Sequence, residues 1–226
     1  MKNLIQPIII LCFSLLFTSC FEITEEVDMN DNGSGDVTLT VNLSESKDNL
    51  KAYWKMDQVQ GVEVPKKDEI EEEIAKVKKA LSAVKGISNV KSTADYDEFI
   101  FTISSSFDNV KTLNKGINTV VAELNRTPLP TIKKDNFDFV PGKFTRLFSY
   151  ASDLKFNDEE YNNLNMSARF VMETARVVSV YRFNKPVKSF TNKKAQLSPS
   201  KKAVKFESNI ADLIKGQASI ENEIIF

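Results

Sequence analysis

Apolar side chains recur along this chain in two rhythms. Phe21, Ile23 and Val27 alternate with polar residues, and so do Val37, Leu39, Val41 and Leu43, the period-two signature of half-buried strands. Between them lies Asn30-Asp31-Asn32-Gly33-Ser34-Gly35, rich in residues that tolerate positive φ, so a β-hairpin is predicted from residue 21 to 43. Ser44 can cap a helix running to about residue 57, with Leu50, Tyr53 and Trp54 on one face. A longer helix opens at Pro65 and Asp68, carries Ile70, Ile74, Val77, Leu81 and Val84 at steps of three and four, and closes at Gly86. Its acidic residues (Glu69, Glu71 to Glu73) come first and Lys78, Lys79 and Lys85 last, as the helix dipole prefers.

Strands are predicted at 87–93 and 98–107, then a helix capped by Asp108 whose stripe is Val110, Leu113, Ile117, Val120, Val121 and Leu124. Residues 126–139, with Pro128 and Pro130 among lysines, read as a loop and a candidate internal boundary. Beyond it the pattern predicts a strand at 144–150, a helix capped by Asn157, strands at 176–183, 202–207 and 217–226, and a short helix at 209–215. Runs of strands broken by helix pairs define an α+β class: one antiparallel sheet with helices packed on one face.

The first twenty residues follow a different logic. Lys2 precedes an almost unbroken apolar run from Leu4 to Phe17, followed by Thr18-Ser19-Cys20. A run of about 14 residues is too short for the roughly 30 Å hydrocarbon core, so it is expected to be a cleaved signal rather than a permanent span. Leu16-Phe17-Thr18-Ser19-Cys20 resembles a bacterial lipobox, in which the cysteine receives diacylglycerol before cleavage. Cys12 leaves with the signal, so Cys20 has no disulfide partner, and lipidation accounts for an otherwise exposed thiol. The expected organisation is a lipoprotein signal peptide at 1–19 and a single α+β domain at 20–226, membrane-anchored in the cell envelope, the outer membrane first and the inner membrane as alternative.

Composition is that of a folding globular chain, 42% hydrophobic and 27% charged. The formal charge of −1 hides a split: residues 20–130 carry 13 basic and 20 acidic groups, residues 131–205 carry 15 and 7. The simplest expectation is that the basic segment complements the acidic half of the same domain; headgroup contact is the alternative. No basic-aromatic stripe suggests nucleic acid.

The chemistry on offer is narrow. There is no histidine, which excludes Ser-His-Asp and Cys-His nucleophile activation and His-ligated metals. Asp28-x-Asn30-x-Asn32-Gly33-x-x-Asp36 copies half of a calcium loop, but Leu39 stands where the bidentate glutamate belongs, and a polar hairpin turn is the preferred reading. Ser-x-x-Lys recurs at Ser44, Ser82, Ser88, Ser152 and Ser198 without its companion motifs, as a Ser- and Lys-rich composition produces. No glycine-rich phosphate loop is visible among seven glycines. Trp54, beside Tyr53 and Met56, is expected to pack a helix onto the sheet.

The lipobox, the hairpin and the closing Val180-Tyr181-Arg182-Phe183-Asn184-Lys185-Pro186-Val187-Lys188-Ser189 and Leu197-Ser198-Pro199-Ser200-Lys201-Lys202-Ala203-Val204-Lys205-Phe206 together resemble uncharacterised lipoproteins of Bacteroidetes, and more distantly the LppM-type envelope lipoprotein domain. That resemblance implies an α+β domain associated with envelope lipids or glycolipids, and carries over no binding residue. The functional expectation is a non-enzymatic, lipid-anchored envelope protein with no cofactor, binding a lipid, a glycolipid or a partner protein. The alternative is a carboxylate-dependent enzyme acting on envelope glycans, which needs two facing carboxylates.

Overall fold

The computed structural model describes residues 21–59, 62–124, 135–147 and 173–226. Cys20 and the predicted signal lie outside them, as do the helix predicted from Asn157, residues 126–134 of the candidate boundary and residues 148–150 of the strand predicted at 144–150.

The predicted hairpin is formed by β1 (Glu22–Met29) and β2 (Gly35–Asn42), paired from Glu22 with Asn42 to Met29 with Gly35. Its turn closes through Asn30 N–H to the Ser34 carbonyl (2.8 Å) and Gly33 N–H to the Asn30 carbonyl (3.0 Å). Gly33 has φ +85°, and an added Cβ would lie 2.8 Å from the Phe139 ring, so both conformation and space require glycine there. A short 3₁₀ turn (Ser44–Ser46) and α1 (Lys47–Tyr53) follow, then a minimal hairpin of β3 (Gln58–Val59) and β4 (Val62–Glu63). Next come α2 (Lys67–Ser82), β5 (Ile87–Asp95), β6 (Ile100–Phe107) and α3 (Val110–Leu124). The Asn109 side chain accepts from Thr112 N–H at 3.0 Å, placing the cap of α3 one residue after the predicted Asp108.

The remaining elements are β7 (Phe137–Val140), β8 (Lys143–Arg146), β9 (Arg176–Phe183), β10 (Ser189–Phe190), β11 (Gln196–Leu197), β12 (Ala203–Asn209), α4 (Ile210–Ile214) and β13 (Asn222–Ile225). β7 begins inside the stretch predicted as loop and runs one residue past it. β13 is shorter than the strand predicted there, because the N–H groups of Gln217 and Ala218 donate to the Asp212 carbonyl of α4 instead of joining a ladder.

The protein is an α+β fold built on a seven-stranded sheet ordered β11-β12-β9-β1-β2-β6-β5. Two features depart from the expectation of one antiparallel sheet. β1 runs parallel to β9, Glu22 beside Arg176 through Met29 beside Phe183, while the other neighbours in this sheet are antiparallel. A second sheet, β10-β13-β8-β7, also forms.

Alternation gives the large sheet an apolar inner face and a polar outer one. On the outer face Arg176 pairs with Glu22 (2.9 Å) and Glu207 (2.8 Å), and Arg182 with Glu26 and Asp28. Lys185 meets Asp31 at 2.9 Å. The basic C-terminal segment thus complements acidic strands of the same domain. The inner face is covered in two ways: the second sheet packs over β9, β1 and β12, and α2 and α3 lie over β5 and β6. Under the second sheet packing is close, with Val27, Phe144, Val204 and Ile224 at 0% exposure and Phe137 stacked on Phe144 at 5.2 Å.

Candidate functional site

The helix-covered half of the same face is packed differently. Leu39 and Val41 of β2, Phe101 and Ile103 of β6, Ile70 and Ile74 of α2, and Ile117, Val120 and Val121 of α3 are all half-buried where their spacing calls for burial. They border a cleft. One lobe, of about 320 Å³, lies between the first half of α2 and strands β2 and β6, from Pro65 and Ile70 inward to Val77. A second, of about 230 Å³, continues under α3 among Val37, Leu81, Ile87, Leu113 and Gly116. The lobes share Leu39, Ile103 and Val120, and their walls are almost wholly hydrocarbon. Gly116 helps to make the room: a Cβ there would stand 3.4 Å from Ile87 Cδ1.

Glu25 is the charged side chain in the wall of the inner lobe. It occupies an inward position of β1, between Leu39 of β2 and Ser179 of β9 in the register. Two donors hold it there: Tyr181 Oη at 2.9 Å and Arg146 Nη2 at 3.4 Å. Arg146 is also fixed, donating to the Asn136 carbonyl (3.2 Å) and side-chain oxygen (3.1 Å) and lying 4.5 Å from the centre of the Phe137 ring. With side-chain exposures of 4% and 19%, this pair is largely shielded from water, where charges persist only if paired and hydrogen-bonded. Burial pushes the Tyr181 phenol well above the usual tyrosine range, and the Glu25 charge adds to that against the opposing pull of Arg146. Glu25 thus closes the seam between the close-packed and the open halves of the core.

The other carboxylates at the cleft are engaged at the surface. Glu69 accepts from Lys66 N–H at 2.8 Å in a capping box, and Glu73 pairs with Lys76 at 3.2 Å. Among the acidic clusters visible in the sequence, Glu71 and Glu72 face Lys67 and Lys76 along α2. Asp95 caps the β5–β6 turn by accepting from Asp97 and Glu98 N–H, both at 2.9 Å, and Glu98 meets Lys47 at 2.8 Å. In the calcium-like turn Asn32 Oδ1 accepts from Ser34 N–H and Oγ, and Asp28 and Asp36 meet Arg182 and Ser106. The described residues contain no group of three or more acidic, His or Cys side chains placed to hold a metal. Of the Ser-x-x-Lys serines, Ser82 donates to the Lys78 carbonyl and Ser198 accepts from Ala203 N–H.

Trp54 packs onto the end of the sheet, with its ring 5.6 Å from Tyr96 and 4.9 Å from Phe99, and its Nε1 donates to the Pro65 carbonyl at 2.9 Å. Tyr53, expected on the same buried face, is instead 41% exposed, because Trp54 alone fills the space against Tyr96 and Phe99. Neither the cleft nor the cluster of Glu25, Arg146 and Tyr181 was recognised from the sequence. A signal for Glu25 was present: a carboxylate in register with Ile23, Val27 and Met29 sits on the apolar side of an alternating strand.

Fold and site together define an α+β domain with an apolar cleft between its sheet and its helices. No family model matches the chain, and no curated protein matches it. Among solved structures it is similar to the folded domain of the LppM protein of Mycobacterium tuberculosis, determined by NMR, with a TM-score of 0.39 and 10% identity over 92% of this chain and 89% of that one. Among the described residues no helix is long and apolar enough to cross a membrane.

Proposed function

We propose that this chain is a cell-envelope lipoprotein, anchored through Cys20, whose domain binds a lipid acyl chain in the cleft beneath α2 and α3 without transforming it. The observation that carries this reading is the cleft itself. Its outer lobe alone falls within the roughly 300–1,000 Å³ usual for small-molecule sites. Its wall offers hydrocarbon in place of the convergent polar groups that a sugar would need. At about 0.8 kcal/mol per buried methylene, ten methylenes gain on the order of 8 kcal/mol before ordering costs, enough for a reversible complex. The signal-like residues 4–19 and the lipobox-like Cys20 support the envelope setting.

Val120 borders both lobes, so Val120→Trp places an indole in the wall they share. Titration of the full chain with a fluorescent fatty-acyl probe should saturate for wild type and weaken at least about tenfold for Val120→Trp, a loss of 1.4 kcal/mol or more. Equal binding by both proteins, or none by wild type, would refute the cleft as the site.

A further inference from the structure

The sheet has two unlike ends. One is the row formed by Arg176, Glu22, Asn42, Ile100 and Asp95 on neighbouring strands, from which the chain leaves through Phe21 toward Cys20. The other is the row formed by Phe183, Met29, Gly35, Phe107 and Ile87. The outer lobe is bordered by Val41 and Phe101, paired with each other one position in from the first row, and by Pro65 and Ile70 at the start of α2. One residue of strand is about 3.4 Å, so the outer lobe reaches nearly to the level where the chain leaves the sheet through Phe21. The inner lobe, lined by Leu81, Ile87 and Leu113, lies toward the opposite end.

Beside the outer lobe, and at the same end, sits the segment that follows β2. Tyr53 is 41% and Met56 49% exposed, and Trp54 is hydrogen-bonded to the Pro65 carbonyl on the rim. Lys51 and Lys55 are exposed on either side of Tyr53 and Trp54. Aromatic residues and methionine flanked by lysines suit the boundary between headgroups and acyl chains, where the rings dip in and the ammonium groups reach back to water. Asp48 and Asp57, also exposed, offset those lysines, so the patch does not call for anionic lipid.

We infer that the domain stands on the bilayer with this end down, Tyr53 and Met56 entering a zwitterionic lipid surface, so that the cleft opens into the membrane and takes an acyl chain directly from it. This inference rests on the Cys20 anchor and on the acyl-binding reading of the cleft, and supplies the source of the ligand.

Trp54 is the single tryptophan of the chain and reports on the contact without labelling. The full lipidated protein, reconstituted in phosphatidylcholine vesicles with acyl chains brominated near the headgroup, should lose about half of its tryptophan emission relative to unbrominated vesicles. Added salt should not reverse the loss. Lys85 is exposed at the opposite end, beside Gly86, so Lys85→Trp in a Trp54→Phe background should keep its emission. Replacing exposed Tyr53 and Met56 by Ser should leave the fold intact and reduce quenching of Trp54. Unquenched Trp54, or equal quenching of the Lys85→Trp reporter, overturns the orientation. A wild-type chain that does not float with the vesicles overturns it together with the anchor. Quenching of Trp54 in a protein that binds no acyl probe upholds the orientation and removes the cleft reading alone.

Discussion

Glu25 stands where the alternation of β1 calls for an apolar side chain, and its neighbours show what it takes to keep a carboxylate there. Arg146 and Tyr181 both donate to it, and each is nearly closed to solvent. The Tyr181 phenol keeps its proton in the fold at pH values where an unfolded chain, with the ordinary value of 10.0, gives it up. Its share of stability is therefore complete below pH 10 and is lost as pH rises from there toward the elevated folded-state value. Urea unfolding between about pH 9 and about pH 11 should show wild type losing stability more steeply than Tyr181→Phe, by up to about 1.4 kcal/mol per pH unit. Parallel slopes would mean that Tyr181 ionises in the fold as readily as in the unfolded chain. The partners of Glu25 could not be read from the sequence. Tyr181 lies 156 positions away and Arg146 121, and no local pattern links them.

Elements were legible in proportion to how local their signals are. The β1–β2 hairpin, α2, β5, β6, α3 and β9 follow from period and punctuation close to where they were expected. β7 was not, because Phe137-Asp138-Phe139 alternate over too few residues to stand out beside a proline- and lysine-rich stretch. Besides its pairing with β8, a side chain of α3 anchors it. Asn114, 3% exposed, donates to the Phe137 carbonyl (2.8 Å) and accepts from Asn136 and Phe137 N–H (3.0 Å each). Asn114→Ala removes three hydrogen bonds and strands backbone groups away from water, so it should cost about 3 kcal/mol in chemical denaturation. A change under about 0.5 kcal/mol would show that β7 is held by its packing alone. The parallel pairing of β1 with β9 was equally invisible, since each strand reads the same whichever neighbour it takes.

At the scale of the whole molecule, the same inner face carries two kinds of packing. Where the second sheet covers it, aromatic rings interlock; where α2 and α3 cover it, apolar side chains line a gap. Periodicity predicts which residues face inward, and did so for Leu39, Val41, Ile70, Ile74 and Val120. It says nothing about how far apart two inward faces stand, and the cleft is a matter of that distance. The outer lobe lies toward the end of the sheet from which Phe21 leaves, beside the segment of Tyr53 and Trp54, and the inner lobe lies toward the other end.

The claim that this cleft holds an acyl chain is tested most directly by native mass spectrometry of the full chain extracted from its own membranes, wild type beside Val120→Trp. A Val120→Trp melting temperature at or above that of wild type certifies the fold. Wild type should then carry a noncovalent lipid mass in addition to any lipid attached to Cys20, and Val120→Trp should lack it. The same noncovalent mass on both proteins, or none on either, would contradict the account.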